Sequence, residues 1–123
     1  KNIEFLGWSD EPASYLRKSQ VVFAHSRSLR EAMACGNIGF ILGHGYGGKV
    51  TEGKIISRVG LDAFPEYRHR RPSILRLVKD VRELAQNSSR LYYLQREARR
   101  IAENYFSLEA MVDETVALYN NHL

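Results

Sequence analysis

Three short stretches of the sequence carry residues suited to holding an anionic, hydroxyl-bearing ligand. The richest is His25-Ser26-Arg27-Ser28-Leu29-Arg30-Glu31, which follows the apolar run Val21–Ala24 and opens a helical pattern. Unpaired N–H groups at a helix start, reinforced by the positive end of the helix dipole, suit a phosphate, and Arg27 and Arg30 can add charge-assisted hydrogen bonds. One turn further on, Glu31 is an acceptor-only carboxylate able to take both hydroxyls of a ribose. The second stretch is Gly43-His44-Gly45-Tyr46-Gly47-Gly48, whose glycines permit positive φ and a close approach of backbone to ligand. Gly7-Trp8, after a short apolar segment, is the third.

Each signal also has a plainer role. Glu31 fits a solvated residue stabilised by the dipole, at about 0.3–1 kcal/mol. His25 and His44, both at strand ends, suit general acid–base or phosphate-donor roles and equally suit hydrogen-bonded structural ones. Two separated histidines with no carboxylate at ligand spacing make a poor metal site, so no metal is expected. Gly43, Gly45 and Gly48 fit G-x-G-x-x-G, with Asp62 beyond, but a dinucleotide fingerprint needs a helix opening at the third glycine. Lys49 to Lys54 contains Gly53 and the β-branched Val50 and Thr51, so a flexible loop beside phosphate or sugar is the expectation. Cys35 precedes a helix-ending glycine, away from the favourable end of the dipole, and reads as a buried, inert thiol.

The elements that must position these residues alternate. Asn2 to Leu6 alternates apolar Ile3 and Phe5 with polar neighbours and predicts a strand closed by Gly7. A helix follows, capped by Ser9 or Asp10, with Pro12 in its first turn and Tyr15 and Leu16 on its inward stripe. Val21–Ala24 predicts a strand buried on both faces of a parallel sheet. Next come a helix capped by Ser28 and stopped at Gly36, and a second buried strand over Ile38–Leu42. Lys49 to Pro72 is broken by Gly53, Gly60, Pro65 and Pro72 and supports no assignment. Three amphipathic helices close the chain, marked by Ile74, Leu77, Val78, Val81, Leu84 and Ala85, then Leu91, Leu94, Ala98, Ile101 and Ala102, then Leu108, Met111, Val112, Thr115, Leu118 and Tyr119. This order predicts an α/β fold, a Rossmann-like parallel sheet with flanking helices.

With 123 residues, 44% hydrophobic and 26% charged, the composition fits one globular domain and excludes disordered, collagen-like and disulfide-scaffold classes. A single cysteine suits a reducing compartment, so a cytoplasmic setting is expected. No apolar run approaches the roughly 20 residues needed to span a bilayer, and with Lys1 as the first residue a piece of a longer chain is expected. The net charge of +4, with thirteen of eighteen cations arginine, tilts toward phosphorylated ligands. Arg68-His69-Arg70-Arg71 is the densest basic run; it lacks interleaved aromatics for base stacking, so no nucleic-acid partner is expected. A solvated loop is the common role for such a run, and a peripheral membrane contact the alternative.

The residues also carry a resemblance. Asn2-Ile3-Glu4-Phe5-Leu6-Gly7-Trp8-Ser9, Tyr15-Leu16, Val21-Val22-Phe23 and Glu31-Ala32-Met33-Ala34-Cys35-Gly36 resemble the nucleotide-sugar-binding C-terminal domain of GT-B glycosyltransferases, group 1, the type of glycosyltransferase family 4. Tyr105 to Met111 and Val116 to Tyr119 are similar to the final helix of those enzymes, so the likeness covers residues 1–48 and roughly 100–123. It implies that residues 1–123 form a single partial domain, the donor-binding lobe of a larger two-domain enzyme whose missing N-terminal domain completes the cleft. Its donor would be a nucleotide diphosphate-sugar, UDP or GDP, with no further cofactor. A hexose would pass to a glycan or lipid-linked acceptor, and the fragment alone would be inactive. Glu31 matches the second glutamate of the family's Glu-x7-Glu motif, the ribose ligand. Gly7 and Trp8 match the segment beside the base, while Arg27 and the amides of Ser28 and Leu29 match the helix start facing the diphosphate. His25, His44, Gly45, Tyr46, Gly47 and Gly48 fall on the phosphate or sugar side. The first glutamate of the motif has no counterpart, because Phe23 stands eight residues before Glu31. Catalytic residues are therefore unassigned, and a degenerate glycosyltransferase-like binding or scaffold module is the alternative.

Overall fold

The computed structural model describes residues 2–43, 45–56 and 74–122. In chain order these form α1 (Pro12–Leu16), β1 (Val21–Ala24), α2 (Ser26–Ala34), β2 (Ile38–Leu42), β3 (Tyr46–Lys49), α3 (Glu52–Ile56), α4 (Ile74–Ala85), α5 (Ser88–Tyr105) and α6 (Leu108–His122). The architecture is mixed α/β, with flanking helices around an open sheet of order β1-β2-β3.

The sheet is mixed, not parallel throughout. β1 pairs parallel with β2, Val21 opposite Ile38 and Ala24 opposite Ile41. β3 pairs antiparallel, with Gly48 opposite Ile41 and Tyr46 opposite Leu42. Chain length dictates this. A parallel crossover needs a dozen residues or more, and the short link between Leu42 and Tyr46 can only turn back as a hairpin. The expected glycine loop over Gly43–Gly48 is therefore half strand, and Gly45 through Gly48 are buried. β1, expected in the sheet interior, lies at its edge and is only half-buried; Phe23 is 36% exposed, its ring stacked on Phe40 at 5.1 Å.

Other expectations shift for local reasons. Asn2–Leu6 forms no strand: an alternating segment with no paired neighbour keeps its backbone and apolar face in water, and Phe5 is 94% exposed. Before α1, Ser9 Oγ accepts from the Glu11 amide while Asp10 takes the Trp8 indole N–H, so neither serves as the cap; Glu11 stands at that position and Pro12 takes its expected place in the first turn. α2 begins two residues before Ser28. His25, extended, stands at its N-cap without a side-chain bond, and Ser26 makes the turn at φ +56°. Gly36 ends that helix region at φ +88°, as expected. Immediately after it, the fully buried Asn37 donates through Nδ2 to the carbonyls of Leu16 and Ala32, at 2.8 and 3.0 Å. Those are two of the orphan acceptors that every helix end leaves. The start of β2 is thereby tied to α1 and α2 at once.

Alternation along β2 divides the core. Ile41 packs with Leu29 and Met33 of α2, Val50, and Ala98, Ile101 and Ala102 of α5. Ile38 and Phe40, on the other face, meet Tyr46, Leu84 of α4 and Leu94. Gly39 lets α2 approach, since a Cβ there would come within 2.9 Å of Leu29 Cδ1 and of the Met33 side chain. The three closing helices occur where expected, but α6 buries none of its residues, and Leu108, Met111, Val112, Leu118 and Tyr119 are exposed.

Glu52 of α3 accepts from Arg100 Nη1 at 2.9 Å and from the Tyr105 hydroxyl at 3.3 Å, pinning the segment after the hairpin to α5. The Arg100 hydrogen bond is the main reason the Glu52 carboxyl is held below its ordinary 4.5. A depressed carboxyl stabilises the fold above its ordinary value and loses that contribution as pH falls through the lower, folded value. Thermal unfolding followed across the acid range is expected to show part of the acid-side fall in Tm disappear in Arg100→Gln; identical acid profiles for the two proteins would dismiss the strut. Phe40, enclosed between Phe23 and Tyr46, sets a second expectation. Phe40→Ala should cost about 3–5 kcal/mol in urea unfolding, and a loss below about 1 kcal/mol would show that this face of β2 holds little.

Candidate functional site

α2 leaves β1 within one residue, so its first amides open at the carboxyl edge of the β1–β2 pair. Sequence reasoning placed Arg27, Ser28, Leu29 and Glu31 there, and the structure keeps them on the first two turns of one helix. Their side chains divide. Leu29 is fully buried in the core, and because α2 begins at Ser26 its amide makes the first helical hydrogen bond, to the His25 carbonyl, so the expected Leu29 contact is lost; Ser28, in the first turn, is exposed. Arg27 Nε donates to Glu31 Oε1 at 2.7 Å in an i,i+4 pair whose side chains are 90% and 46% exposed. Such a pair contributes about 0.3–0.5 kcal/mol. Both side chains can therefore exchange each other for a ligand at little cost. Glu31, Arg27, Arg30, Phe106 and Met111 are among the residues lining a groove of about 640 Å³ between α2, α5 and α6, with the Arg30 guanidinium 5.7 Å from the centre of the Phe106 ring.

The remaining expected residues lie elsewhere. Gly7 and Trp8 stand on the exposed segment before α1, Trp8 being 92% exposed. His25 is exposed at the start of α2, and His44 lies outside the described residues. Gly45, Tyr46, Gly47 and Gly48 belong to the buried hairpin, where Tyr46 donates its hydroxyl to Asp80 Oδ2 of α4 at 2.5 Å. Burial first, then the hydrogen bond and charge of Asp80, push the Tyr46 phenol far above its ordinary value. Tyr46 thus remains a neutral donor that braces the hairpin against α4. Among the described residues no group of three or more histidines, cysteines or carboxylates is placed to hold a metal ion.

A second polar cluster, which sequence reasoning missed, surrounds that hairpin. Lys54 Nζ donates to the carbonyls of Gly47 at 2.7 Å and Lys49 at 2.6 Å. Arg76, from the first turn of α4, holds its guanidinium 5.9 Å from the centre of the Tyr46 ring. Desolvation and the neighbouring Arg76 and Lys49 charges lower the Lys54 ammonium below its ordinary value, with Asp80 pulling the other way. A signal existed: Gly48, Gly53 and Lys54 have the spacing of a Gly-x4-Gly-Lys phosphate loop. Ile55 stands where that pattern has Ser or Thr, and α3 begins before Gly53 instead of at the lysine.

Among the described residues no helix is long and apolar enough to cross a membrane. Searches against protein-family models, curated proteins and solved structures found no match to this chain.

Proposed function

We propose that the chain is the nucleotide-diphosphate-sugar-binding lobe of a glycosyltransferase that transfers a hexose to a glycan or lipid-linked acceptor. The observation that carries the reading is the start of α2 at the carboxyl edge of β1, with Arg27, Ser28 and Glu31 exposed on its first turns. Ligands of open α/β sheets bind at that edge. In this reading the first-turn amides of α2, Ser28's among them, take the diphosphate of UDP or GDP with Arg27, and Glu31 accepts from the ribose hydroxyls. Gly7 and Trp8 lie by the base, and the hairpin faces the sugar side. Energetics favour the exchange: hydrogen bonds to charged groups contribute about 1.5–3 kcal/mol each, well above the surface pair that Arg27 and Glu31 give up.

A lobe of this kind works against a second domain carrying the acceptor. The uncovered apolar face of α6 supports such a neighbour, because a stripe of Leu108, Met111, Val112 and Tyr119 left in water forgoes its burial energy. The enzyme would work in the cytoplasm, with lipid-linked acceptors bringing it to a membrane surface. GT-B chemistry uses positive groups and a helix dipole to stabilise the leaving diphosphate, and α2 with Arg27 supplies that electrostatic arrangement.

Phe23 favours a second reading. Stacked on Phe40, it puts a hydrocarbon ring where the resemblance requires the first glutamate, which supports a binding module without transfer activity. Titration calorimetry with UDP and with GDP bears on both readings. Binding by the wild-type chain that weakens about tenfold or more in Glu31→Ala is the expected result, equivalent to about 1.4 kcal/mol. An unchanged affinity in Glu31→Ala would remove the ribose role, and a folded wild type that binds neither nucleotide would remove the nucleotide reading.

A further inference from the structure

We propose that this chain self-associates head to tail, the apolar stripe of α6 in one copy lying on the exposed apolar stripe of α4 in the next. Both stripes follow from helical spacing. Leu108, Met111, Val112 and Tyr119 recur along one side of α6 and are 47–67% exposed. On α4, Ile74, Val78 and Val81 recur in the same way beside the inward Leu77 and Leu84, and Ile74 is 72% exposed. Stripes of this kind forgo their burial energy until something covers them.

Charge selects α4 as the cover of α6. α6 carries Glu109, Asp113 and Glu114 and neither lysine nor arginine, so its stripe is flanked by carboxylates alone. A second α6 would set acid against acid. The exposed flank of the α4 stripe has the opposite sign: Arg82 stands four residues after Val78, and Lys79 three before Arg82, both exposed. Of the α4 carboxylates, Asp80 accepts from Tyr46 and Glu83 lines a small pocket beside it with Leu84. Among the described residues, none of Lys79, Arg82, Glu109, Asp113 and Glu114 makes an ion pair. The contact therefore breaks no existing bridge while the stripes bury each other and the flanks match.

The two stripes belong to opposite sides of the sheet. α4 packs on the face of β2 that carries Ile38 and Phe40, whereas α6 joins the other side, where its Met111 lines a groove with Arg30 and Ala34 of α2. The contact is accordingly made between copies. Two different patches on one chain make it heterologous, so each copy that binds leaves one stripe open at either end and the next copy can add. One helix face on another is a small interface, which makes the association reversible and dependent on concentration. The proposal goes beyond the nucleotide reading and does not rest on it. A second domain, where a longer chain supplies one, competes with the second copy for the α6 stripe.

Sedimentation velocity of the full chain, from about 10 μM to about 1 mM, tests the contact. The average mass of wild type should rise with concentration past that of two copies. Val78→Asp on α4 and Val112→Asp on α6 each place a carboxylate in a stripe, and each alone should weaken association about tenfold or more. An equimolar mixture of the two variants is the decisive arm. One keeps an intact α6 and the other an intact α4, so the mixture should form pairs and nothing larger. Circular dichroism checks both folds, and Ile74→Asp, at a helix start that favours aspartate, should repeat the effect of Val78→Asp. Raising salt from about 50 mM to about 500 mM should weaken association, and insensitivity to salt would overturn the pairing of α6 with α4. A wild type that stays monomeric would overturn the proposal and leave the α6 stripe to a second domain. So would a mixture that stays monomeric, or loss in Val112→Asp with Val78→Asp unchanged, the mark of an α6-to-α6 pair. Binding of UDP and GDP, measured separately, decides the nucleotide reading whichever way these arms fall.

Discussion

Strand β2 is hydrogen-bonded along both edges and packed on both faces, and every other described part of the α/β core takes its place from it. Its alternation sends Ile41 toward α2 and α5, and Ile38 and Phe40 toward α4 and β3. Gly39 makes the first of these contacts close enough, and Asn37 fixes where the strand begins by holding the ends of α1 and α2. At the end of α2 a long-range donor satisfies a further orphan carbonyl, Arg99 of α5 donating to Ala34. A buried strand of five residues thus positions four helices, which is why the candidate sites cluster at its ends and not along it.

The two polar clusters differ in what their charges cost. At the start of α2, Arg27 and Glu31 are solvated, weakly coupled and ready to exchange partners. Around the hairpin, Lys54 and Tyr46 are partly desolvated and held in place, Lys54 by the Gly47 and Lys49 carbonyls and Tyr46 by Asp80, so they have less freedom. Burial therefore separates an adaptable edge from a preformed one. Both lie at the same level of the sheet, because the strand that carries Gly48 pairs in register with the strand that leads to α2.

Much of this is legible in the sequence. Val21–Ala24, Ile38–Leu42, the helix ending at Gly36 and the three closing helices all follow from local periodicity and punctuation. The burial of Leu94, Ala98, Ile101 and Ala102 followed from their spacing. The grouping of Arg27, Ser28 and Glu31 was legible for the same reason, since residues within two turns of one helix stay together whatever surrounds them. Lys54, Arg76 and Asp80 were not, because they meet only when the hairpin folds against α4, across more than twenty residues of sequence. Phe23 and the stripe of α6 were misjudged in the same way: an apolar pattern states what a surface prefers, not whether a neighbour covers it.

Sequence alone determined the types of Val21–Ala24, Ile38–Leu42, the helix between them and the three closing helices, the orientation of β1 against β2 through that helix, and the residues at the start of α2. These rest on φ preferences, capping and helical spacing, all of which act within a few residues. Tertiary structure alone decided that the glycine run becomes an antiparallel strand, that β1 is an edge, and that two cations converge on Gly48. Those outcomes depend on which surfaces meet in space, and on how the cost of bringing charges together is balanced by what lies between them.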